Sequence, residues 1–294
     1  MAGYNEDLER DGFVIIKSLF RGEQLEALRA AASRAEDVAR RGQWPYVRTV
    51  GKQFPPWPTS SPQGIWGVQH LLHPSQAGHD EFARAYFSDE LLGAAKQLLG
   101  CGDDELVMEL LNMLVRPDGG PWELRWHRDD IGPNASAEEE MRRLGRPAFH
   151  AQFNVALWED ASLVVVPGSH RRARTEAERG AGPHDRLEGE TRVRLGPGDA
   201  AFYNHNILHR GVYDGEGERL TVHGSVGHVD GGEERARVVL QHGVREWVGE
   251  MDLAAMDWGS GEGGARLRAR AEAMKARLLK LGEESGDVGY SLEG

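Results

Sequence analysis

Two short sequences of the form His-x-Asp stand out among the residues that could do chemistry: His127-Arg128-Asp129 and His228-Val229-Asp230. The first ends a strand-like stretch, and side chains two positions apart on a strand point to the same face. An imidazole and a carboxylate that converge in this way are two of the three ligands of a 2-His-1-carboxylate site, which binds one face of Fe(II). Two glycines and two glutamates follow closely after the second copy and indicate a solvated turn. The first copy is therefore the candidate for chemistry.

An ordered series of residues after Asp129 strengthens that candidate. Gly196-Pro197-Gly198-Asp199 predicts a turn, residues 200–208 predict a strand, and His209 closes that strand. Arg219 comes ten positions after His209 and opens another predicted strand. A keto acid bound to a metal needs a distal cation, and the planar guanidinium of arginine can hold a carboxylate through two hydrogen bonds. Each element is ordinary alone, and the ordered set favours a metal site.

The combined motifs resemble the phytanoyl-CoA dioxygenase family of Fe(II)- and 2-oxoglutarate-dependent oxygenases. The resemblance covers residues 11–226, and the Pro-Gly-Ser-His segment is its most specific part. His170, at the end of that segment, is expected to be structural, in a turn. The motifs that carry the resemblance are Asp11-Gly12-Phe13-Val14-Ile15, His127-x-Asp129, Val165-Val166-Pro167-Gly168-Ser169-His170, His209 and Arg219.

The resemblance implies a mainly β fold with flanking helices, a double-stranded β-helix of the jelly-roll or cupin-like barrel type. It implies His127, Asp129 and His209 as iron ligands, and Arg219 as the residue that binds the C5 carboxylate of 2-oxoglutarate. It further implies an enzyme that uses Fe(II), 2-oxoglutarate and O2 to oxidise an unactivated C–H bond by hydroxylation, desaturation or ring closure. Because Asp129 fills the position that related halogenases leave open for halide, halogenation is not expected.

Strand parity adds further candidates for the pocket. Arg125 shares the parity of His127 and Asp129 and could meet an anionic substrate, with an ion pair to the acidic residues 138–140 as the alternative. Asn112 lies on an apolar strand face, where it either reaches the cavity or bonds to the backbone. The remaining candidates are Thr221 beside Asn112 for the cosubstrate, and His223, Asn154, Gln69 and His70 for the substrate, the last two as parts of a lid.

The strands that must position these residues follow from short apolar or alternating runs between Gly, Pro and Asp turns. Their number and spacing favour an antiparallel sandwich or barrel. A charged helical insertion over residues 136–144 and a polar loop over residues 171–190 interrupt them. The predicted strands are residues 106–115, 149–158, 162–166, 200–208 and 219–226, with an earlier strand after Gly12.

Helices are predicted on both sides of these strands. Leu25, Leu28 and Ala32 recur at helical spacing, and Gly42 marks the end of that helix. Residues 80–99 predict one or two helices, with Ser88 as an N-cap and Gly100 as a stop. Residues 238–256 predict a partly buried helix and residues 265–281 a solvated one, joined by a glycine hinge over residues 259–264.

Composition limits the class of protein. The chain has 294 residues, a net charge of −12 and a single cysteine, Cys101. The charge has the wrong sign for holding nucleic acid or an anionic membrane through the global field, and no apolar run approaches the ~20 residues of a membrane span. A lone cysteine favours a reducing compartment. We therefore expect a cytoplasmic protein that binds a small molecule, with its oligomeric state open.

One domain over residues 1–294 is expected, with a barrel core at about 104–230 between an N-terminal helical and irregular segment, 1–103, and a C-terminal helical segment, 236–294. The substrate is expected to be a small polar metabolite or natural-product intermediate. Two alternatives to the oxygenase stay open at this point. One is a zinc-dependent hydrolase on the same ligands, and the other is a metal-free jelly-roll binding protein.

Overall fold

The computed structural model describes residues 4–45, 66–76, 78–117, 120–182, 184–213, 215 and 217–286. Residues 46–65, part of the expected N-terminal helical and irregular segment, therefore lie outside the described residues. The strands are β1 (Phe13–Ile16), β2 (Trp66–Val68), β3 (Leu106–Val115), β4 (Trp122–Glu123), β5 (His150–Ala156), β6 (Leu163–Val166), β7 (Thr191–Arg192), β8 (Ala200–Tyr203), β9 (Leu208–Tyr213) and β10 (Leu220–His228). The α-helices are α1 (Tyr4–Asp11), α2 (Gly22–Arg40), α3 (His79–Tyr86), α4 (Asp89–Leu99), α5 (Ala137–Leu144), α6 (Glu176–Gly180), α7 (Gly232–Leu240) and α8 (Gly261–Glu284).

Two antiparallel sheets face each other and confirm the predicted jelly roll. The larger sheet has the order β1-β8-β5-β10-β3-β2, and the smaller has the order β4-β9-β6-β7. The larger sheet takes in β1 and β2, so the barrel extends beyond the predicted core of residues 104–230. The helices nevertheless hold more residues than the strands do. In the part of the chain that the structure describes, no helix is long and apolar enough to cross a bilayer.

Side chains alternate between the two faces of the larger sheet, which creates two apolar environments. One face packs with the helices into the main core, which includes Phe153, Phe202 and Val222. The opposite face looks into the barrel, where Ala156, Ala201 and other buried side chains form a second cluster with β6. The polar residues proposed for the site must therefore interrupt the second, inner face.

The predicted capping chemistry around residue 88 is confirmed. Residues 79–99 form two helices, and the Ser88 side chain accepts a hydrogen bond from the backbone N–H of Leu91. Gly100 ends α4 in the left-handed conformation, with φ of 67°. The insertion is also helical, and Ser136 caps α5 by accepting from the N–H of Glu139. The predicted polar loop at 171–190 contains the short helix α6.

The prediction of one strand over residues 200–208 was wrong. Asn204 turns the chain: its side chain accepts from the N–H of Asn206 at 2.8 Å, and its carbonyl accepts from the N–H of Ile207 at 2.9 Å. Asparagine stabilises such turns because its short amide imitates a backbone group. His209 therefore lies near the start of β9, in the other sheet, and does not close β8.

The C-terminal helices also differ from the prediction. The helix expected over 238–256 begins earlier, as α7, and gives way to 3-10 turns at Val244–Glu246 and Val248–Glu250 after Gly243, whose φ is 86°. Helix α8 begins at Gly261, inside the expected hinge, and is not simply solvated. Ala271, Met274 and Leu278 form a buried stripe at helical spacing, which the abundance of arginine in that helix concealed.

Candidate metal centre

The first His-x-Asp sequence and His209 meet through backbone pairing between strands. The N–H of His127 donates to the carbonyl of His209 and the reverse bond is also made, each at 3.0 Å. The two imidazole rings consequently lie side by side, with centroids 4.3 Å apart. Asp129 joins them because its N–H donates to the carbonyl of His205 at 3.0 Å. Three residues predicted as ligands thus reach one place in the barrel.

The ligand atoms converge on a single point. Asp129 Oδ1 lies 3.6 Å from His127 Nε2 and 3.5 Å from His209 Nε2. All three atoms lie within 4.8 Å of one another. Ligand bonds of about 2.1 Å at right angles would separate such atoms by about 3 Å. The three ligand atoms therefore need to move only slightly closer together to bind a transition metal.

Local hydrogen bonds set both histidines to the tautomer that a metal needs. His127 Nδ1 lies 3.0 Å from the carbonyl oxygen of Arg125, and His209 Nδ1 lies 2.8 Å from that of Ile207. Because a carbonyl can only accept, each Nδ1 carries the hydrogen and each Nε2 presents its lone pair to the site. Metal-bound histidines are held in this way by partners of their second nitrogen.

The electrostatics of the site favour a neutral imidazole beside an ionised carboxylate. Burial, together with His127, lowers the pKa of His209 to about 4. Burial would raise the pKa of Asp129, but His209, His127 and Gln152 outweigh it and hold that pKa below its usual range. Gln152 Nε2 donates to Asp129 Oδ2 at 3.0 Å, which leaves Oδ1 turned toward the histidines. Solvent still reaches 32% of the Asp129 side chain.

The second His-x-Asp sequence has the opposite tautomer. His228 is buried at the end of β10, so only the exposed Asp230 fits the predicted solvated turn. His228 Nδ1 accepts from the N–H of Asp230 at 3.0 Å, which puts the hydrogen on Nε2, facing Glu105. Cys101 lies in the same cluster, and burial raises the pKa of its thiol to about 11. A protonated Nε2 and a protonated thiol make this cluster a poor metal site.

Arg128, between the two proposed ligands, fastens the turns around them. Its buried guanidinium donates to the carbonyls of Ser169 and Arg172, each at 3.0 Å, and to that of Asn206. Burial lowers the pKa of Arg128 to about 10, so it stays a cation at neutral pH. Three carbonyls on two separate turns are thereby tied to the residue between His127 and Asp129.

The Pro-Gly-Ser-His segment positions the start of β9. Ser169 Oγ accepts from the N–H of Leu208 at 2.8 Å, next to His209. The N–H of Gly168 donates to the carbonyl of Asp11 at 2.9 Å, and His170 Nε2 lies 3.1 Å from the carbonyl of Glu9. The segment therefore joins the N-terminus to the strand that carries His209, and His170 has the structural place expected of it.

A second set of polar groups lies inside the barrel around Arg219. Arg219 Nε donates to Asp160 Oδ1 at 3.0 Å, and the guanidinium lies over the Tyr213 ring, 4.1 Å from its centre. Among the described residues, Arg219 Nη1 and Thr221 Oγ1 are buried and have no hydrogen-bond partner. Buried polar atoms seldom stay unpaired, because each costs roughly 1–3 kcal/mol. Two orphaned donors of this kind fit a bound carboxylate.

Sequence comparison now decides the family. The phytanoyl-CoA dioxygenase (PhyH) family model matches residues 8–212. The chain belongs to this family. No curated protein matches the chain in sequence.

Solved structures share the fold of this PhyH-family chain. The epimerase SnoN from nogalamycin biosynthesis is 17% identical with a TM-score of 0.52, over 77% of this chain and 82% of its own. EctD from S. alaskensis, with 2-oxoglutarate and 5-hydroxyectoine, is 19% identical with a TM-score of 0.56, over 79% and 77%. HygX from Streptomyces hygroscopicus, with nickel and 2-oxoglutarate, is 18% identical with a TM-score of 0.51, over 75% and 84%. At these identities the likeness establishes the fold.

Several other predicted site residues also face the barrel of this PhyH-family chain. Asn112 lies directly opposite His223 in the pairing of β3 with β10. His223 Nδ1 lies 2.8 Å from Asn154 Oδ1 on β5. Gln69 is buried just after β2, whose register continued by one residue places it opposite Asn112, and its Oε1 has no described partner. Asn112, Asn154 and His223 lie on the larger sheet, and Gln69 follows its edge strand.

Two predicted substrate residues have surroundings that the sequence did not indicate. His70 accepts a hydrogen bond at Nδ1 from the indole N–H of Trp247 at 3.0 Å, so the C-terminal turns hold it. Arg125 is exposed, and its side chain forms no ion pair with described residues. The alternative, an ion pair between Arg125 and residues 138–140, is not formed: Glu139 pairs with Arg143, and Glu140 pairs with Arg174 and Arg179.

Sequence reasoning missed Gln152, Tyr203 and Tyr213, all on inner strand faces. Gln152 lies opposite Tyr203 in the pairing of β5 with β8, and the Tyr203 ring meets that of His209 edge-on. Tyr213 shares the face of His209, and burial raises the pKa of both tyrosines. Parity with Asn154 could have identified Gln152. Tyr213 was hidden because His209 was expected to end its strand.

Replacement of Arg128 by lysine is expected to weaken binding of Fe(II) about tenfold, the lower end of the effect of groups that orient metal ligands. Lysine keeps the charge but cannot reach three carbonyls at once. Competition with a chromophoric chelator measures the affinity, and Arg142→Lys on the exposed surface of α5 is the control. Equal affinity in the two variants would show that Arg128 does not position the ligands.

Replacement of Gly12 by alanine is expected to destabilise the fold by about 3 kcal/mol. Gly12 has a φ of 82°, and an added Cβ would overlap the His170 ring. The left-handed backbone contributes about 1 kcal/mol of that cost and the overlap the rest. Gly42→Ala is the matched control, since its φ is 67° with nothing within 4 Å of the new Cβ. Urea unfolding should show a clearly larger loss for Gly12→Ala, and equal losses would contradict the proposed contact.

Proposed function

We propose that this chain is an Fe(II)- and 2-oxoglutarate-dependent dioxygenase that oxidises an unactivated C–H bond of a small polar molecule. The observation that carries the proposal is the matched tautomer of His127 and His209 around Asp129 Oδ1. Family membership supports it. SnoN has been seen with Fe3+ and α-ketoglutarate, and EctD with iron and with 2-oxoglutarate. Hydroxylation is the default reaction, with desaturation or ring closure as variants.

The polar residues described above have distinct parts in this proposal. His127, Asp129 and His209 would hold the iron, and Gln152 keeps the second carboxylate oxygen of Asp129 occupied. Arg219 Nη1 and Thr221 Oγ1 would donate to the C5 carboxylate of 2-oxoglutarate, above the Tyr213 ring. When bound, iron and 2-oxoglutarate supply the activation of O2. The chain's own residues bind the iron and 2-oxoglutarate, orient the substrate and exclude water from the inner face of the sheets.

The inner surface opposite the metal ligands suits a polar substrate. Asn112, Asn154 and His223 form one patch there, with Gln69 beside it. Amides and imidazoles of this kind orient a ligand by donating and accepting hydrogen bonds. We expect them to direct one C–H bond of the substrate toward the metal.

A zinc-dependent hydrolase is the weaker proposal. It would use the same three ligands with a bound water, but it would leave Arg219 Nη1 and Thr221 Oγ1 without a partner. The cost of leaving both groups buried and unpaired argues for a carboxylate ligand at that position. A metal-free binding protein would leave the aligned lone pairs of the two histidines unexplained.

Anaerobic titration with Fe(II) and then 2-oxoglutarate tests the proposal. Chelation of iron by the keto acid should produce a metal-to-ligand charge-transfer band in the visible spectrum. Without that band the oxygenase assignment is wrong, and metal analysis of the purified protein would then separate a zinc enzyme from a metal-free protein. The His228→Ala variant should give the full band, because His228 lies outside the proposed centre.

A further inference from the structure

One charged cluster near the proposed iron ligands has no part in the function described so far. Glu109 on β3 is only 1% exposed, and Arg235 on α7 donates to both of its oxygens, from Nε at 2.7 Å and from Nη2 at 2.5 Å. Ser225 Oγ donates to the same carboxylate at 2.6 Å. Gly227 leaves the space that Glu109 occupies, since a Cβ there would overlap its carboxylate. The carboxylate is therefore fully satisfied and firmly held.

The guanidinium of Arg235 is not fully used by these contacts. Its Nη1 forms no hydrogen bond with any residue that the structure describes, and 21% of the side chain is exposed. A bidentate pair with a buried carboxylate fixes the plane of the guanidinium and thereby removes most of the entropy cost of later binding. A cation with one free edge and a fixed orientation is a preorganised anion-binding group.

Arg235 is also close to the proposed iron ligands. Its Nη2 lies 3.4 Å from Ser225 Oγ, and Ser225 lies directly opposite Gln152 in the pairing of β10 with β5. Gln152 in turn donates to Asp129 at 3.0 Å. Since paired residues on neighbouring strands have Cβ atoms about 5 Å apart, the contacts from the guanidinium to the Asp129 carboxylate run through two side chains, Ser225 and Gln152. Burial would lower the pKa of Arg235, but Glu109 raises it above its ordinary value, and Asp130 and Asp129 add to that effect.

We propose that Arg235 binds an anionic group of the substrate, and that the substrate is a small molecule with a carboxylate or phosphate a few bonds from the oxidised carbon. This inference rests on the proposed function, and it replaces Arg125 as the anchor. Arg125 is exposed and forms no ion pair with described residues, so its long side chain must lose rotamer freedom before it can bind. Arg235 has already lost that freedom on folding.

The simpler interpretation is that the ion pair only holds α7 against β3. Charge adds little stability in such a role, because apolar residues of similar volume often replace a buried ion pair without loss of stability. Holding α7 against β3 also does not require a guanidinium nitrogen, Nη1, that forms no hydrogen bond with described residues. The two readings differ in whether an anion binds.

The test uses variants that keep the chain folded. Arg235→Met alone would leave the Glu109 charge buried and unpaired, which could unfold the protein. The double variant Glu109→Gln with Arg235→Gln keeps the net charge and lets two amides pair. Arg235→Lys keeps the positive charge but loses the bidentate hydrogen bonding of the guanidinium. Urea unfolding confirms that each variant is folded. Arg192→Gln is the control, a cation whose Nη1 donates to the carbonyl of Ala161.

Binding of inorganic phosphate, and separately of acetate, is followed by ligand-observed NMR with saturating 2-oxoglutarate, both with and without Fe(II) under anaerobic conditions. The wild type and Arg192→Gln should bind at least one probe saturably, and the better probe identifies the anionic group. The double variant should bind about tenfold more weakly or not at all, as expected for loss of a charge-assisted pair. Arg235→Lys should fall between them.

Three outcomes would overturn the inference: no saturable binding by the wild type, unchanged binding by the double variant, or an equal loss in Arg125→Met. The proposed function is judged separately, by the charge-transfer band. If the band is absent and anion binding still depends on Arg235, the dioxygenase assignment fails while the anion site stands. If the band is present and anion binding is unaffected, only the inference about Arg235 fails.

Discussion

His127→Ala, Asp129→Ala and His209→Ala are each expected to abolish Fe(II)-dependent consumption of 2-oxoglutarate while leaving the fold largely intact. Each change removes one of three ligand atoms that converge within 4.8 Å, and two ligands hold Fe(II) far more weakly than three. The side chains are polar and contribute little to the apolar core, so urea unfolding should change only slightly. Oxygen consumption and succinate formation measure the loss.

The chain provides its own control for this prediction. His228→Ala removes the histidine of the second His-x-Asp sequence, whose Nε2 carries a hydrogen and faces Glu105. Consumption of 2-oxoglutarate by this variant should be nearly unchanged. If any of the three ligand variants consumes 2-oxoglutarate at the wild-type rate, the replaced residue does not belong to the proposed triad.

Arg219→Ala is expected to raise the apparent constant for 2-oxoglutarate by roughly 30-fold or more. A charge-assisted pair in a partly desolvated site is worth on the order of 2 to 4 kcal/mol, and 30-fold corresponds to the lower value. The change removes the buried Nη1 that has no partner among the described residues. Titration of the charge-transfer band with 2-oxoglutarate measures the constant without turnover.

Asp160 must be considered in this second experiment, because it loses its pair with Arg219 Nε. Ser162 still donates to Asp160 Oδ2 from its hydroxyl at 3.0 Å and from its N–H at 3.3 Å, so the carboxylate keeps two partners. Arg219→Lys restores the positive charge without the fork and should recover only part of the affinity. An unchanged constant in Arg219→Ala would mean that another cation, such as Arg125, holds the cosubstrate.

Much of the fold and of the candidate site could be predicted from local patterns. Alternation and turn residues identified most strands of the barrel, and the Ser88 cap and Gly100 stop divided the helices correctly. These features depend on neighbours in sequence, so spacing is sufficient to find them. The same reasoning failed for α8, where arginines flank an apolar stripe, and at Asn204, where one amide side chain turns a chain that reads as a continuous strand.

The order of His127, Asp129, His209 and Arg219 along the chain was enough to indicate the family and its chemistry. The residues after the second His-x-Asp sequence already favoured the first as the metal site, but only the tertiary structure showed that the two histidines have opposite tautomers, through the partner of Nδ1 in each. Only the structure showed that Gln152 contacts Asp129, and that the Glu109–Arg235 pair lies beside Ser225 on β10, the strand next to that of Gln152. Periodicity tells which face of a strand a side chain occupies, whereas the pairing of strands far apart in the chain depends on how the whole barrel packs.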